Sequence, residues 1–329
     1  MAAPQAPRCS GSVEQFDGFD QCRYRWDVNL PMVSRACPVC GSDSQYRLFK
    51  EAAFDASRWD RFAFSSRKTP EYMHYRLLEC ARCDVVYANP LPTRESLDAA
   101  YREAAFDSAE EARHASDTYA EFLPTILLKL SRREAALDIG TGDGAFLEHV
   151  VRCGFERVVG IEPSRAPVEA ARSAIRGLIR QCTFRPSDFE QESFSLITCF
   201  QTLEHVYDPR ALCQGTFDLL HPGGAVLLVC HDRRALSARV LGTRSPIFDI
   251  EHLQLFSRES LRYALRQAGY DEVVTLPVVN RYPLSYWLKL LPLPPRAKAA
   301  ALGALQQSGV GRLPLRFSAG NFAAIGYKR

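Results

Sequence analysis

The chain has 329 residues, of which 47% are hydrophobic and 24% charged, an ordinary composition for a globular protein. This length allows one large domain and a smaller one. With 41 basic and 38 acidic residues the formal net charge is only +3, which disfavours a protein that binds nucleic acid through excess positive charge. The sequence contains neither a long uninterrupted apolar run nor the apolar core of a signal peptide, so we expect a cytoplasmic protein.

Two CxxC pairs lie within residues 32–92, which we predict to form a small zinc-ribbon-like module, called the cysteine module below. In a reducing compartment, paired cysteines indicate a metal site more often than a disulfide. Four thiolates suit tetrahedral Zn²⁺ and leave no open coordination position, so the zinc would be structural. Four buried thiols or two redox pairs are the alternatives. The predicted ligands are Cys37, Cys40, Cys80 and Cys83.

The segments around the cysteine module follow other patterns. Residues 1–31 mix Pro, Gly, Ser and Gln with scattered aromatic residues and predict an irregular segment. Residues 93–134 predict a helical linker or lid, in which TRESLDAAYREAA begins with a Thr cap and a second helix covers 116–130. Aromatic residues between the two CxxC pairs are candidates for a lid or a partner surface: Trp59, Phe62, Phe64, Tyr72 and Tyr75.

From residue 135 onward, short apolar strands alternate with helices. The strands are EAALDIG, ERVVGIEP, FSLITCF and AVLLVC, and the helices are 144–153, SRAPVEAARSA, DPRALCQGTFDLL and FSRESLRYALRQAGY. This alternation indicates a parallel sheet with helices on both faces. With DEVVTLPVV and NFAAIGYKR as the last strands, the predicted fold class is α/β: a Rossmann-like, seven-stranded, mostly parallel sheet in residues 135–329, with a helical insertion at about 281–312.

A glycine-rich turn lies between the first of these strands and the helix that follows it. Gly140 and Gly142 allow a tight turn and the close approach of a ligand, and the helix N-terminus behind them offers free N–H groups. Glu162, at the end of the next strand, is placed to accept hydrogen bonds from two ribose hydroxyls. A purely structural turn is the alternative, but the accompanying motifs argue against it.

The motifs LDIGTGDG, IEPS, FQTLEHVYDP, LHPGG and EHLQLFSRESL together resemble those of the class I S-adenosylmethionine (SAM) dependent methyltransferases, over about residues 130–270. The resemblance implies SAM as the cofactor and methyl transfer as the activity. The acidic residue that this family often places beside the adenine is absent from RQCTFRPSDFE or displaced to Asp188. The implied cofactor-binding residues are Asp138, Gly140, Thr141, Gly142, Glu162, Pro163, Thr183, Phe184 and Gln201.

A cysteine-rich ribbon ahead of this core, followed by YANPLP, also resembles bacterial methyltransferases that act on sugars and secondary metabolites. The resemblance implies a small acceptor: a sugar, a glycan precursor or a secondary metabolite. Methylation of oxygen is the first expectation, and methylation of carbon is the second.

Candidate bases follow the carboxyl ends of the later strands, where doubly wound folds bind their ligands. His205 follows the fourth strand, His231 and Asp232 follow the fifth, and His252 lies next to Glu251 before a helix. Removal of a proton from an oxygen or carbon nucleophile requires a base, and an imidazole of ordinary pKa ~6.5 can serve near neutral pH. We predict His205 or His252 as the base. A role in bracing its own loop is the alternative for each.

The apolar and aromatic residues 282–292 predict a pocket wall or lid over an apolar or lipid-linked acceptor, or a peripheral contact with a membrane. Ordinary packing against the sheet is the alternative. Two other functions stay open: a non-catalytic scaffold with a SAM-binding fold, and an RNA methyltransferase that grips its substrate with the ribbon. The balanced charge disfavours the second, so no nucleic-acid partner is expected.

Overall fold

A computed structural model describes five parts of the chain: residues 31–55, 63–65, 71–106, 108–291 and 293–329. Of the predicted irregular segment, only its last residue falls inside these ranges. Trp59 and Phe62, two of the aromatic residues proposed for a lid, lie outside the described residues.

The strands and helices of the described residues are numbered in chain order. The strands are β1 (Met32–Val33), β2 (Tyr46–Lys50), β3 (Leu77–Cys80), β4 (Val86–Ala88), β5 (Leu91–Pro92), β6 (Ala135–Ile139), β7 (Arg157–Ile161), β8 (Ile179–Arg180), β9 (Phe194–Phe200), β10 (Leu220–His231), β11 (Gln254–Leu255), β12 (Glu272–Pro277), β13 (Asn280–Pro283), β14 (Pro314–Phe317) and β15 (Asn321–Tyr327). The helices are α1 (Arg94–Arg102), α2 (Ala109–Ala120), α3 (Leu123–Leu127), α4 (Leu147–Arg152), α5 (Arg165–Ala170), α6 (Ser173–Arg176), α7 (Pro209–Leu219), α8 (Leu236–Leu241), α9 (Arg258–Gln267), α10 (Leu284–Leu290) and α11 (Pro295–Ser308).

Seven strands form the main sheet, in the order β12-β15-β10-β9-β6-β7-β8. From β10 to β8 all neighbours pair in parallel, whereas β15 runs antiparallel to both β10 and β12. Parallel neighbours need crossover connections, which α4 and α7 supply between β6 and β7 and between β9 and β10. The predicted α/β fold with a seven-stranded, mostly parallel sheet is confirmed.

Both faces of this sheet are covered. Successive side chains of a strand point to opposite faces, and in β6 Leu137 packs with α7 and α9 while Ala136 packs with α3 and α4. Every residue of β6 is buried, as is typical of a parallel strand that carries helices on both sides. Because both faces of these strands are buried by helices, their sequences are near-continuous apolar runs rather than alternating ones.

Two predicted helices are shorter in the structure because the backbone cannot continue them. The helix predicted from residue 144 begins at Leu147, since Gly144 has a left-handed φ of 75°. The helix predicted over 116–130 is divided into α2 and α3, and Pro124 in the first turn of α3 has no N–H to extend the preceding helix.

The segment predicted as a helical insertion at about 281–312 contains α10 and α11. The two strands that flank these helices, β13 and β14, pair in an antiparallel arrangement. The indole Nε1 of Trp287 donates a hydrogen bond of 3.1 Å to the carbonyl of Leu315 and so ties α10 to the hairpin. None of the helices in the described part of the chain combines the length and the apolar character that a bilayer span requires.

The strands of the cysteine module join a second sheet of order β11-β4-β3-β2. The edge strand β11 comes from the loop after His252, far along the chain from the other three strands. Residues of the two parts also share one apolar core, in which Val39 and Leu78 pack with Leu137. The cysteine module is therefore built onto the loops that border the main sheet.

Candidate active site

A cavity of about 890 Å³ opens where the parallel strands of the main sheet end. Its size is that of a ligand pocket for one or two small molecules. The residues predicted to bind the cofactor or to act as the base all line its wall: Asp138, Gly140, Thr141, Gly142, Glu162, Pro163, Thr183, Phe184, Gln201, His205 and His252. Their individual roles stay predictions.

The glycine turn after β6 forms one wall of the cavity. Gly140 and Gly142 have left-handed φ angles of 75° and 60°. A Cβ on Gly140 would lie 2.2 Å from Oγ1 of Thr202, so this glycine is required for packing. A Cβ on Gly142 would meet no atom within 4 Å. The turn therefore leaves open space around Gly142, which lines the cavity.

Glu162 is fixed beside this turn at the end of β7. Its Oε2 accepts a hydrogen bond of 3.0 Å from the N–H of Gly142, and its Oε1 accepts one of 2.8 Å from the N–H of Ser164. Burial raises the pKa of Glu162, and these two N–H groups partly oppose that rise. Since each carboxylate oxygen can accept more than one hydrogen bond, the side chain retains capacity for two ligand hydroxyls.

Two further carboxyl groups are buried at this end of the sheet: Asp138 lines the cavity, whereas Glu204 does not. Asp138 Oδ1 accepts a hydrogen bond of 2.7 Å from Thr198, and burial raises the pKa of Asp138 to about 6. Glu204 Oε1 accepts a bond of 2.7 Å from the N–H of His231, and burial raises the pKa of Glu204 to about 7. Glu204 therefore ties the loop after β9 to the end of β10, which is a bracing role.

Gln201, directly after β9, has a left-handed φ of 47° although it is not glycine. Such a backbone conformation costs free energy and is concentrated at functional sites. Its N–H donates to the carbonyl of Val229 at 2.7 Å, and its Nε2 lies 3.5 Å from Nε2 of His231. The structure therefore aims the Gln201 amide along the cavity wall towards His231.

The structure brings the two predicted bases together. The imidazole centroids of His205 and His252 are 4.8 Å apart, and that of His231 lies 5.2 Å from His252. Asp232, the fourth candidate by position, lies outside the cavity lining and pairs with Arg258 at 3.3 Å. The histidines thus form one group at the cavity wall, and Asp232 does not belong to it.

Three cavity residues were missed by reasoning from the sequence. The Tyr101 hydroxyl lies 3.1 Å from Nδ1 of His205, and Asn321 Oδ1 lies 2.7 Å from Nδ1 of His231. Asn280 lines the cavity with a buried Oδ1 that has no hydrogen-bond partner among the described residues. No local motif marks these residues, because they come from α1, β13 and β15 and meet only in the folded chain.

The four cysteines predicted as metal ligands converge on one point in the cysteine module. Their sulfur atoms all lie within 4.8 Å of one another, and the pairs Cys37–Cys83 and Cys40–Cys80 are each 3.5 Å apart. Tetrahedral Zn²⁺ with Zn–S bonds of about 2.3 Å places sulfur atoms about 3.8 Å apart. The cluster therefore has the dimensions of a four-thiolate zinc site.

The two CxxC segments have matching backbone conformations. The N–H of Gly41 donates to the Cys37 carbonyl at 2.9 Å, and the N–H of Asp84 donates to the Cys80 carbonyl at 3.1 Å. Both donors have left-handed φ angles, 72° for Gly41 and 65° for Asp84. The backbone N–H groups of Val39 and Cys40 also donate to the Cys37 sulfur, which stabilises a thiolate there.

Arg35, two residues before Cys37, links the cysteine module to the loops of the cavity. Its guanidinium donates to the backbone carbonyls of Ala88, Tyr207 and Leu253 at 3.1, 3.2 and 2.7 Å. Tyr207 follows His205 by two residues, and Leu253 follows His252 directly. Burial lowers the pKa of Arg35 to about 10, which leaves the group charged at neutral pH.

A second link centres on Asp84, which follows Cys83. The Asp84 carboxylate contacts the guanidinium of Arg233 and accepts a hydrogen bond from the hydroxyl of Ser257. The same guanidinium lies 2.7 Å from the carboxylate of Glu79. Ser257 is the N-cap of α9. The Asp84 side chain therefore anchors the second CxxC segment to the main domain. A glycine at this left-handed position would lack these contacts.

The open space at Gly142 predicts different outcomes for alanine at two comparable glycines. Gly142→Ala places a methyl group in the cavity and should weaken SAM binding about tenfold or more, as measured by calorimetry. Gly154→Ala is the matched control, because Gly154 also has a left-handed φ (80°) and free space around a Cβ but does not line the cavity. Equal SAM affinity for the two variants would contradict the assignment of the turn.

Several curated relatives match a part of the chain, and two of them illustrate the similarity. The ubiquinone biosynthesis O-methyltransferase of Alkalilimnicola ehrlichii is 34% identical over 107 residues, which cover 31% of this chain and 43% of that protein. The enzyme of the same name from Actinobacillus pleuropneumoniae is 38% identical over 117 residues, which cover 32% of this chain and 48% of that protein. The chain spans about half the length of these curated relatives.

Solved structures of similar fold include two SAM-dependent methyltransferases. One, from Thermotoga maritima, is 20% identical with a TM-score of 0.45, covering 66% of this chain and 91% of that one. The other, from Archaeoglobus fulgidus, is 14% identical with a TM-score of 0.45, covering 65% of this chain and 94% of that one. A sequence model described as a methyltransferase domain matches residues 111–276, half of the chain, so this chain belongs to the methyltransferase domain family.

Proposed function

We propose that this chain transfers the methyl group of SAM to a small acceptor, to oxygen in the first instance and to carbon as the alternative. The observation that carries the proposal is the position of Glu162, whose carboxylate is held by N–H groups of Gly142 and Ser164 on the wall of the cavity. The open space at Gly142 fits an adenosyl ligand whose ribose hydroxyls bind this carboxylate.

When bound, SAM supplies a methyl carbon activated by positively charged sulfur. The residues of this chain then have to align the acceptor with that carbon and deal with the proton of the acceptor. We propose that Gln201 lies on the cofactor side and that His205 and His252 face the acceptor, since all three line one cavity. The name of the matching relatives, O-methyltransferase, supports oxygen as the methylated atom.

The outer wall of the cavity supports an acceptor with an apolar or aromatic portion. Tyr282, Tyr286 and Trp287 line the cavity, and their rings pack together, with the Tyr282 and Tyr286 centroids 4.3 Å apart. Leu315 and Phe317 of β14 extend the same wall. A secondary metabolite or a lipid-linked acceptor matches this lining. The alternative of a sugar or glycan precursor stays a prediction.

Binding and turnover of SAM test this proposal. Glu162→Gln removes the charge that accepts the ribose hydroxyls, and hydrogen bonds to charged groups contribute about 1.5–3 kcal/mol, so SAM affinity should fall roughly tenfold to hundredfold in calorimetry. Glu169→Gln is the control, because the Glu169 side chain is exposed on α5 and its carboxylate pairs with Arg165, one helical turn away. Near-native affinity of the Glu162 variant would overturn the ribose assignment.

Transfer of a labelled methyl group from SAM to a hydrophobic extract of cellular metabolites tests the reaction itself. Labelled product in the extract is the expected result. Tight SAM binding without any transfer across polar, apolar and RNA fractions would instead favour the non-catalytic scaffold, and label in the RNA fraction alone would favour an RNA methyltransferase.

We also propose that the four cysteines bind a structural zinc ion. Spacing of the sulfur atoms and the N–H donors around Cys37 support this proposal, and four thiolates leave no position for a substrate. Because Arg35 and Asp84 connect the cluster to the loops after β9 and before α9, the metal would also stabilise the cavity wall.

Removal of one ligand should therefore affect both metal content and stability. Cys80→Ser is expected to lose the zinc that survives extensive dialysis and to lower the melting temperature, because metal binding contributes directly to folding. Metal analysis and thermal unfolding measure the two effects. Cys182→Ser serves as the control, since Cys182 is exposed and far along the chain from the cluster. Unchanged zinc content in the Cys80 variant would rule out this metal site.

The insertion supports the predicted peripheral contact with a membrane, which we propose for an anionic lipid surface. No acidic residue occurs from residue 273 to the end of the sequence. Large apolar side chains are exposed on the insertion, including Leu313 at 59% and Val310 at 42%. Its basic residues are Arg281, Lys289, Arg296, Lys298, Arg312 and Arg316, of which Lys289 and Arg316 contact Glu111 and Glu121. Exposed apolar residues among basic ones are typical of interfacial anchors.

Co-sedimentation with vesicles checks this surface. The protein should bind vesicles that contain phosphatidylglycerol more strongly than vesicles of phosphatidylcholine alone, and the double variant Val310→Ser/Leu313→Ser should reduce that binding severalfold. Leu128→Ser is the matched control, because Leu128 is 88% exposed but lies at the end of α3. Equal binding of the double variant and the Leu128 variant to these vesicles would contradict a membrane contact through Val310 and Leu313.

A further inference from the structure

A group of potential metal ligands lies on the cavity wall, separate from the four cysteines. It consists of His205, Glu251 and His252, called the histidine cluster below. One ligand atom from each, a ring nitrogen or a carboxylate oxygen, lies within 4.8 Å of those of the other two. Glu251 and His252 are 8% and 6% exposed, and His205 is half-buried. All three also line the cavity.

The hydrogen bonds of both imidazoles fix which ring nitrogen can bind a metal. His252 Nδ1 lies 2.8 Å from the carbonyl oxygen of Ile247, and His205 Nδ1 lies 3.1 Å from that of Glu251. A carbonyl oxygen only accepts, so a hydrogen bond to it requires the proton on Nδ1, and Nε2 is then the ring nitrogen that would ligate a cation. Metal-binding histidines are held in this way, with the second nitrogen donating to a carbonyl or carboxylate.

The third histidine of the cavity has a different set of partners. His231 Nδ1 lies 2.7 Å from Oδ1 of Asn321, and its Nε2 lies 3.5 Å from Nε2 of Gln201. Both ring nitrogens therefore face amide groups. The ligand set of the histidine cluster is therefore two imidazoles and one carboxylate. Such a set suits divalent cations such as Mn²⁺, Fe²⁺, Co²⁺ or Zn²⁺, and it leaves further coordination positions of the cation open.

We propose that the histidine cluster binds one divalent cation, whose open positions take the oxygen of the methyl acceptor. The catalytic use of this site rests on the proposed function, but binding of the cation does not. A cation lowers the pKa of a hydroxyl that it binds. The acceptor hydroxyl gives its proton to solvent, its oxygen forms the bond to the methyl carbon, and the electron pair of the breaking S–C bond goes to sulfur.

This assignment changes the role of the two predicted bases. With Nε2 bound to a cation, neither imidazole removes a proton itself, and both hold the cation in place. The Tyr101 hydroxyl then acts as a positioning group, because it donates to the Glu251 carbonyl at 3.2 Å and lies 3.1 Å from Nδ1 of His205.

Electron paramagnetic resonance of Mn²⁺ tests the site directly, on protein whose cysteine cluster is already loaded with zinc. Mn²⁺ prefers oxygen and nitrogen ligands, so the thiolates of the cysteine module do not compete for it. A saturable Mn²⁺ site with one ion per chain is the expected result. Glu251→Gln and His252→Ala should each weaken the affinity about tenfold or more.

His149→Ala is the matched control, because His149 lies outside the cavity lining and pairs with Asp117 at 3.1 Å. Circular dichroism checks that each variant is folded, and the near-isosteric Glu251→Gln keeps the test valid where His252→Ala fails to fold. Absence of saturable binding of both Mn²⁺ and Co²⁺ up to millimolar concentration overturns the proposal, as does unchanged affinity in the Glu251 variant. Loss of SAM binding in Glu162→Gln bears on the proposed function alone, since Mn²⁺ binding is measured without SAM.

Discussion

The guanidinium group of Arg35 makes the contact on which the shape of the candidate site most depends. It donates to carbonyls of Ala88, Tyr207 and Leu253, which belong to three separate segments. A charge removed from water is stable only when its N–H groups are paired. The three segments must therefore keep one arrangement, and two of them carry His205 and His252 within two residues of the contacted Tyr207 and Leu253. The geometry of the histidines follows from a residue that is not in the cavity wall.

The cysteine module becomes part of the site through the same contacts. Arg35 lies two residues before the first cysteine, and Asp84 directly follows the last one and contacts Arg233 and the N-cap of α9. The sheet β11-β4-β3-β2 adds backbone hydrogen bonds between the module and the loop after His252. A structural metal in this module would thus restrict the loops of the cavity, although none of the four cysteines lines the cavity.

The cavity itself divides into two chemical environments. Around the glycine turn, fixed backbone N–H groups and the carboxylate of Glu162 form a polar wall that is shaped before any ligand arrives. Towards the insertion, Tyr286 and Trp287 form an apolar wall, and the histidines lie on the same cavity. Pre-formed polar groups favour one orientation of a cofactor, whereas an aromatic wall can pack against acceptor molecules of different shapes. Under the proposed function, the acceptor would therefore contact mainly α10 and the β13–β14 hairpin.

The sequence by itself determined the fold class, the glycine turn with Glu162 and the two CxxC pairs, because strand periodicity, left-handed glycines and ligand spacing are local properties. The sequence also indicated His205, which follows an apolar strand, and His252, which precedes a capped helix. Only the tertiary structure decided that these histidines meet, that Tyr101 and Asn321 contact histidines of the cavity, that Asn280 lines the same cavity, and that Asp232 does not. Those contacts join residues more than 40 positions apart, and no local pattern records which distant segments pack together.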